Sequence, residues 1–557
     1  MATFRYSLLG PQGSWLALRL AGTLLLAACR TPPPAKPLPP LPHTAYAYYL
    51  DGKLAAYRED WPSAADALAQ AAAAAPDQPM VAVELARAQW KAKRPEAARA
   101  TLAAARVKWP KHAQVWLASG DATAQRVPAD AIRWYRKAIE LEPTDERAYL
   151  GLAKLEQPAQ ALSTLQRLVK KVPDSVDGRY RLAQQLARRD ELGGAIEQFR
   201  KVLERDPDHI DARLDLARAL RRQGQLVEAI AQTRSAFDRS GQALDVAEEL
   251  YWLLCEADDR TAAIDLLTLL DDDRSDTDAL ATVARLERGL GRLDDARAVA
   301  SRLAKVDAEL GALVLAEIEI AAGERASAEK RALAIPGSSN RFIEARRVAA
   351  AALAGDPQRV IEVLAPARAA KPTDVDLATL TAFSLIDLGK TREAIVLMNM
   401  LTGASALFAK ARVVDHAGDW RTAIEIVEAL IRAKPDASAA LNLAGYILAD
   451  RNERLADAER YLRRARTLSP GDPAVLDSWG WLRLRQGKTR EAVRVLDRAV
   501  RFAPLEPEIL VHLAAAWAAD GAPKTALATL EKAAALRPAA ALQQRIDALR
   551  SALARRQ

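Results

Sequence analysis

Few side chains in this 557-residue sequence are spaced for covalent or metal chemistry. Its two cysteines, Cys29 and Cys255, are too few for a disulfide framework. Cys255 sits inside the apolar run "ELYWLLCEADD", where a thiol is expected as a small buried hydrophobe. Cys29 differs, because it ends the short apolar run in "LAGTLLLAACR" and a proline-rich stretch follows at once. The five histidines, His43, His112, His209, His416 and His512, are scattered and show no metal-ligand spacing. Asp271-Asp272-Asp273 lacks the spacing of an EF-hand loop and reads as a solvated turn. The sequence contains no GxSxG, no phosphate-cradling glycine loop and no HExxH. The expectation is a non-enzymatic protein without metal or cofactor.

Residues 1–28 read as an export signal. Arg5 and Arg19 supply positive charge, and Leu20 to Ala28 supply the apolar core. That core is shorter than the roughly 20 apolar residues a membrane-crossing helix needs. Leu26-Ala27-Ala28-Cys29 resembles the lipobox of bacterial lipoproteins. The resemblance implies a thioether-linked diacylglycerol on Cys29, cleavage before it, and a mature chain from Cys29 to Gln557. Several acyl chains give firm anchoring, since each buried methylene contributes about 0.8 kcal/mol. Arg30 stands where an inner-membrane retention signal would have aspartate, so the expected site is the bacterial outer membrane, facing the periplasm. Residues 29–44 form the lipidated cysteine and its linker, whose segment "TPPPAKPLPPLP" favours an extended polyproline conformation of about 3.1 Å per residue.

The elements behind these residues follow from composition and repetition. The chain is dense in Ala, Leu, Arg and Glu, which enter helices at little entropic cost. Its net charge of +8, from 80 basic and 72 acidic residues, is spread thinly. Basic clusters with interleaved aromatics are missing, so no nucleic-acid partner is expected. From about Tyr46 the chain repeats itself. Small residues such as Ala64, Ala98, Ala131, Ala195, Ala229, Ala492 and Ala526 recur at steps of mostly 32 to 34 residues. A proline follows many of them twelve residues later, as at Pro76, Pro207 and Pro504, where it would stop a helix. A glycine precedes many by five, as at Gly224, Gly389 and Gly487, in a tight turn.

This pattern resembles the tetratricopeptide repeat (TPR), a helix-turn-helix unit. The segment Pro473 to Pro504 is its cleanest copy, with Gly480, Gly487, Ala492, Leu496, Ala499 and Pro504 at the family spacing. The resemblance implies an all-α, right-handed superhelical α-solenoid of about fifteen units. The expected organisation is an N-terminal array over 45–240, divergent central units over 241–372, a C-terminal array over 373–538 and a capping helix over 539–557. Shortened units are expected around Ala153 and Ala423, and an extra residue in "ADRNERLADAE".

In TPR arrays the first helix of each unit lines the concave face. Counting from the small eighth-place residue, the exposed places include Lys53, Tyr57, Arg87, Trp90 and Lys91 near the start. Arg188, Arg218, Arg221, Arg222, Arg285 and Arg288 form a run in the middle, and Tyr446, Trp481 and Arg485 lie near the end. Arginine forks suit carboxylates, although an arginine-rich chain also places arginine on plain solvated faces. The asparagines of a carboxylate-clamp subtype are missing, so a chaperone C-terminus is not implied. The expected function is a lipid-anchored periplasmic scaffold that binds protein partners of the cell envelope in its groove. The settings in view are polysaccharide export, type IV pilus or secretin assembly, gliding motility and outer-membrane assembly. The alternative is direct binding of an anionic polysaccharide in export. No small-molecule substrate is expected.

Overall fold

The structure, a computed structural model, describes residues 40–271, 276–538 and 540–555. The signal segment, Cys29, nearly all of the linker, and Asp272 and Asp273 lie outside the described residues. Among the described residues there are 31 helices and no strand. The helices pair into hairpins along the chain, so the all-α repeat solenoid expected from the sequence is what forms.

One hairpin explains the rest. Its first helix, Pro473–Arg485, starts where the Asp472 side chain accepts from the Ala474 amide and Pro473 occupies the first turn. It stops at Gly487, whose φ of +74° costs glycine nothing. The second helix, Thr489–Phe502, buries Ala492, Leu496 and Ala499 on one stripe and ends just before Pro504. At Gly480 a Cβ would stand 2.5 Å from Leu496 Cγ, so this close helix crossing needs glycine. Where units lack the turn glycine, Glu59, Lys93, Asp190 and Asp258 hold the same left-handed conformation, with φ of 60 to 64°.

The chain divides into two compact units, Met1–Gly178 and Arg179–Gln557. In the first, the Tyr135 ring fills the space that glycine leaves at Gly120 and Gly151, where a Cβ would come within 2.5 and 2.6 Å of it. The expected short unit is present here as Glu146–Leu155, a helix of 10 residues.

The second unit carries further irregular places: Arg325–Leu333 and Thr391–Asn399, each of 9 residues, and Phe342–Ala352 of 11. Near its end, helix Ala540–Ala554 sets Ile546 and Leu553 against Leu510, Val511 and Leu530, as a capping helix must. Cys255 is buried, as its apolar setting implies, and burial pushes its thiol up to about 12.

The second unit also returns upon itself. Arg498 Nη2 donates to the carbonyls of Cys255, at 3.2 Å, and Glu256. Arg501 grips both oxygens of Asp258, at 3.0 and 2.6 Å. Phe502 enters the same apolar core as Leu250, Leu254 and Leu290. Later hairpins therefore close onto middle ones across about 243 residues of sequence.

Candidate partner-binding groove

In the first unit, the residues expected on the concave face are mostly engaged with one another. Glu84 receives Lys53 at 2.9 Å and Arg87 at 3.0 Å. The Lys91 ammonium lies 5.6 Å from the Trp61 ring centroid. Trp90 packs half-buried against Ala86, Ala98 and Leu102, so it builds the core more than it presents a surface. Tyr57 stands 87 % exposed. Beside them Asp121 accepts from the Tyr135 hydroxyl at 2.8 Å, and burial raises its carboxyl above the usual range.

In the second unit the arginine run is real, and it is largely paired. Arg218 meets Glu249 with both Nε and Nη2, at 2.9 and 2.7 Å, and Asp215 at 3.0 Å. The Glu249 hydrogen bond leads the causes holding the Arg218 guanidinium above its ordinary pKa. Arg221 reaches Glu256 at 2.6 Å, and Arg222 reaches Asp190 at 2.8 Å and the Ala187 carbonyl at 2.9 Å. Arg285 bridges Glu317, at 2.9 and 3.0 Å, and Glu344 at 3.2 Å, while Arg288 lies 3.7 Å from Glu317. Arg218, Arg221 and Arg285 each join a carboxylate 31 to 35 residues further on, one repeat along. These arginines therefore act as rungs between neighbouring units. Arg188 is exposed and has no ion pair among the described residues.

Near the C-terminus the geometry corrects one expectation. Trp481 is only 8 % exposed and stacks on the buried His512, with ring centroids 4.2 Å apart. His512 Nδ1 lies 2.9 Å from Asp477 Oδ1, and its Nε2 is 3.3 Å from Arg545. Trp481 is thus wall, covered because the next unit supplies His512. Tyr446, half-buried, donates to Glu508 at 2.9 Å. Arg485 lies over the Trp481 ring at 4.7 Å and donates to the Asp450 carbonyl at 2.8 Å.

The second unit holds a channel of about 1500 Å³. On one side stand Arg188, Arg218, Arg221 and Arg222. Facing them is helix Leu455–Leu468, the second helix of its unit, with Arg460, Arg463 and Arg464. The first-helix counting rule missed that row because it ignores second helices, and periodicity does not tell which distant units come to face each other.

Family profiles fit this architecture. Profiles described as tetratricopeptide repeat match residues 147–210, 408–473 and 478–541, and also 55–120 and 186–242. The TPR repeat-containing protein PA4667 of Pseudomonas aeruginosa is 36% identical over 107 residues. That match takes in 19% of this chain and 18% of the relative, so the chain spans under a fifth of that protein's length. Among solved structures, Naa15/Naa10 bound to HypK-THB aligns at a TM-score of 0.33 with 14% identity, over 91% of this chain and 99% of that one. YrrB, described as a TPR protein with an unusual peptide-binding site, aligns at a TM-score of 0.29 with 21% identity, over 33% of this chain and 98% of its own. With the helical hairpins and their turn chemistry beside them, the repeat matches make this chain a member of the tetratricopeptide repeat family.

Proposed function

We propose that the protein is a non-enzymatic scaffold, anchored by lipid on Cys29 to the periplasmic face of a bacterial outer membrane, that holds protein partners of an envelope machine. The observation that carries the scaffold reading is a channel of about 1500 Å³ lined by charged side chains of two first helices, Val176–Arg188 and Ile210–Arg222, and of the second helix Leu455–Leu468. The anchor rests on the Leu26-Ala27-Ala28-Cys29 motif ahead of the proline-rich linker. No described helix is long and apolar enough to cross a membrane. The arginine density of the channel also supports the second reading, an anionic polysaccharide as the ligand.

Fractionation of cells tests the anchor. Cys29→Ala is expected to move the protein from the membrane fraction to the soluble one, and unchanged fractionation would overturn lipid anchoring. Crosslinking of the wild-type chain in membranes tests the scaffold: a reproducible protein partner is expected, and its absence at saturating crosslinker counts against the reading.

A further inference from the structure

We propose that the arginine channel of the unit Arg179–Gln557 binds an acidic peptide segment with interspersed aliphatic side chains, presented by a protein partner. The proposal rests on the scaffold reading above and names the ligand chemistry of its groove. Seven arginines line the channel against three carboxylates, Asp190, Asp436 and Glu459. A cavity of this size exceeds the roughly 300–1,000 Å³ of a small-molecule site and leaves room for an extended chain.

The two sides contribute differently. Arg218, Arg221 and Arg222 are held in place by Glu249, Glu256 and Asp190, so little side-chain freedom is lost when a ligand arrives. Arg188 has no carboxylate of its own and is the first candidate to take one from a ligand. Across the channel, Arg460 and Arg463 are 66% and 70% exposed and pair only along their own helix, with Asp457 and Glu459. Such exposed pairs contribute little, so their guanidinium forks can turn to an incoming carboxylate.

The spacing between charges favours a peptide over a sugar polymer. Leu192, Ile431 and Leu468, each partly exposed, lie among the arginines and offer apolar contact to aliphatic side chains. Carbohydrate rings pack best on aromatic faces, and the channel has one ring, Tyr461, whose hydroxyl already donates to Glu428 at 3.0 Å.

The test uses the full-length chain in detergent and a fluorescein-labelled peptide of alternating Glu and Leu, read by fluorescence anisotropy. Binding is expected, weakening as ionic strength rises. It should weaken about 10-fold or more in the combined Arg188→Gln, Arg460→Gln and Arg463→Gln variant, as loss of complementary charge predicts. Arg188→Gln alone breaks no ion pair, so its loss of affinity serves if the combined variant melts early. Arg490→Gln, at an exposed arginine outside the channel, should bind as wild type. No binding of the peptide, or equal binding by the wild type and the combined variant, overturns the proposal. So does a polyuronate that binds through these arginines when the peptide does not. Failure of the peptide with partner crosslinking retained removes only this assignment, whereas failure of crosslinking removes the scaffold reading itself.

Discussion

At the scale of the residue, the arginine row illustrates what a side chain's place in sequence can and cannot tell. Its positions were legible, since each arginine lies a fixed count from a small eighth-place residue. Its pairing was not read from them, because the partners Glu249, Glu256 and Glu317 belong to the next unit. This changes what mutation should do. Arg218→Glu would set a third carboxylate beside Asp215 and Glu249, and it should lower the melting temperature more than Arg218→Gln does. Exchanging the pair, Arg218→Glu with Glu249→Arg, should recover part of the loss, with a coupling of about 0.5–1 kcal/mol in a double-mutant cycle. Additive single effects would show that the rung carries no energy. Glu287 offers a second test. It is 3% exposed, its nearest cation is Arg292 at 2.8 Å, and burial pushes its carboxyl up to about 7. A carboxyl raised in the folded state favours folding below its unfolded pKa, and that contribution disappears as pH rises through 7. At about 1.4 kcal/mol per pKa unit, roughly 2–4 kcal/mol is involved. Urea titrations between pH 4.5 and 8 should therefore show a shallower loss of stability in Glu287→Gln than in wild type; parallel profiles would refute the assignment.

At the scale of the element, most of the architecture was written in punctuation. The prolines fell directly after second helices, as Pro504 follows Ala503, and the glycines marked left-handed turns, as Gly487 does. The short helix Glu146–Leu155 was visible as missing residues. The exposure of Trp481 was misread, because whether a first-helix place faces solvent depends on what the following unit brings, here His512. Two substitutions test the turn and crossing chemistry. Gly480→Ala drives a methyl to 2.5 Å from Leu496 Cγ and should cost about 1–3 kcal/mol by overpacking. Lys93 holds φ at 60° without the freedom of glycine, so Lys93→Gly should relieve local strain and leave stability unchanged or raised by up to about 1 kcal/mol. Calorimetry that found Gly480→Ala neutral would mean the hairpin adjusts more freely than its packing implies.

At the scale of the molecule, a repeat specifies its neighbours and nothing further, so the return of the larger unit upon itself could not be read from periodicity. Arg498 and Arg501 hold that return at one helix end, and Arg325 holds it elsewhere by donating to the Arg537 carbonyl at 2.9 Å. The carbonyls of Cys255 and Glu256 close the helix Leu244–Glu256, where the aligned backbone dipoles leave partial negative charge, and Arg498 sits on them. Arg501 adds a two-pronged grip on Asp258, and Phe502 seals the contact in the apolar core. Arg498→Ala with Arg501→Ala removes the polar half of this clasp and leaves every hairpin its own helix pairing. Helical content by circular dichroism should therefore stay near wild type while the radius of gyration from X-ray scattering increases. Because the arginines of helix Leu455–Leu468 face Arg188 and Arg218 only when the unit is closed, affinity for the acidic peptide probe should fall in the same variant, although none of the channel's own residues has changed. An unchanged scattering curve would assign the closure to the contacts that remain, Phe502 in its apolar core and Arg325 donating to the Arg537 carbonyl. An expanded unit that still bound the peptide at full strength would show that one wall of the channel suffices.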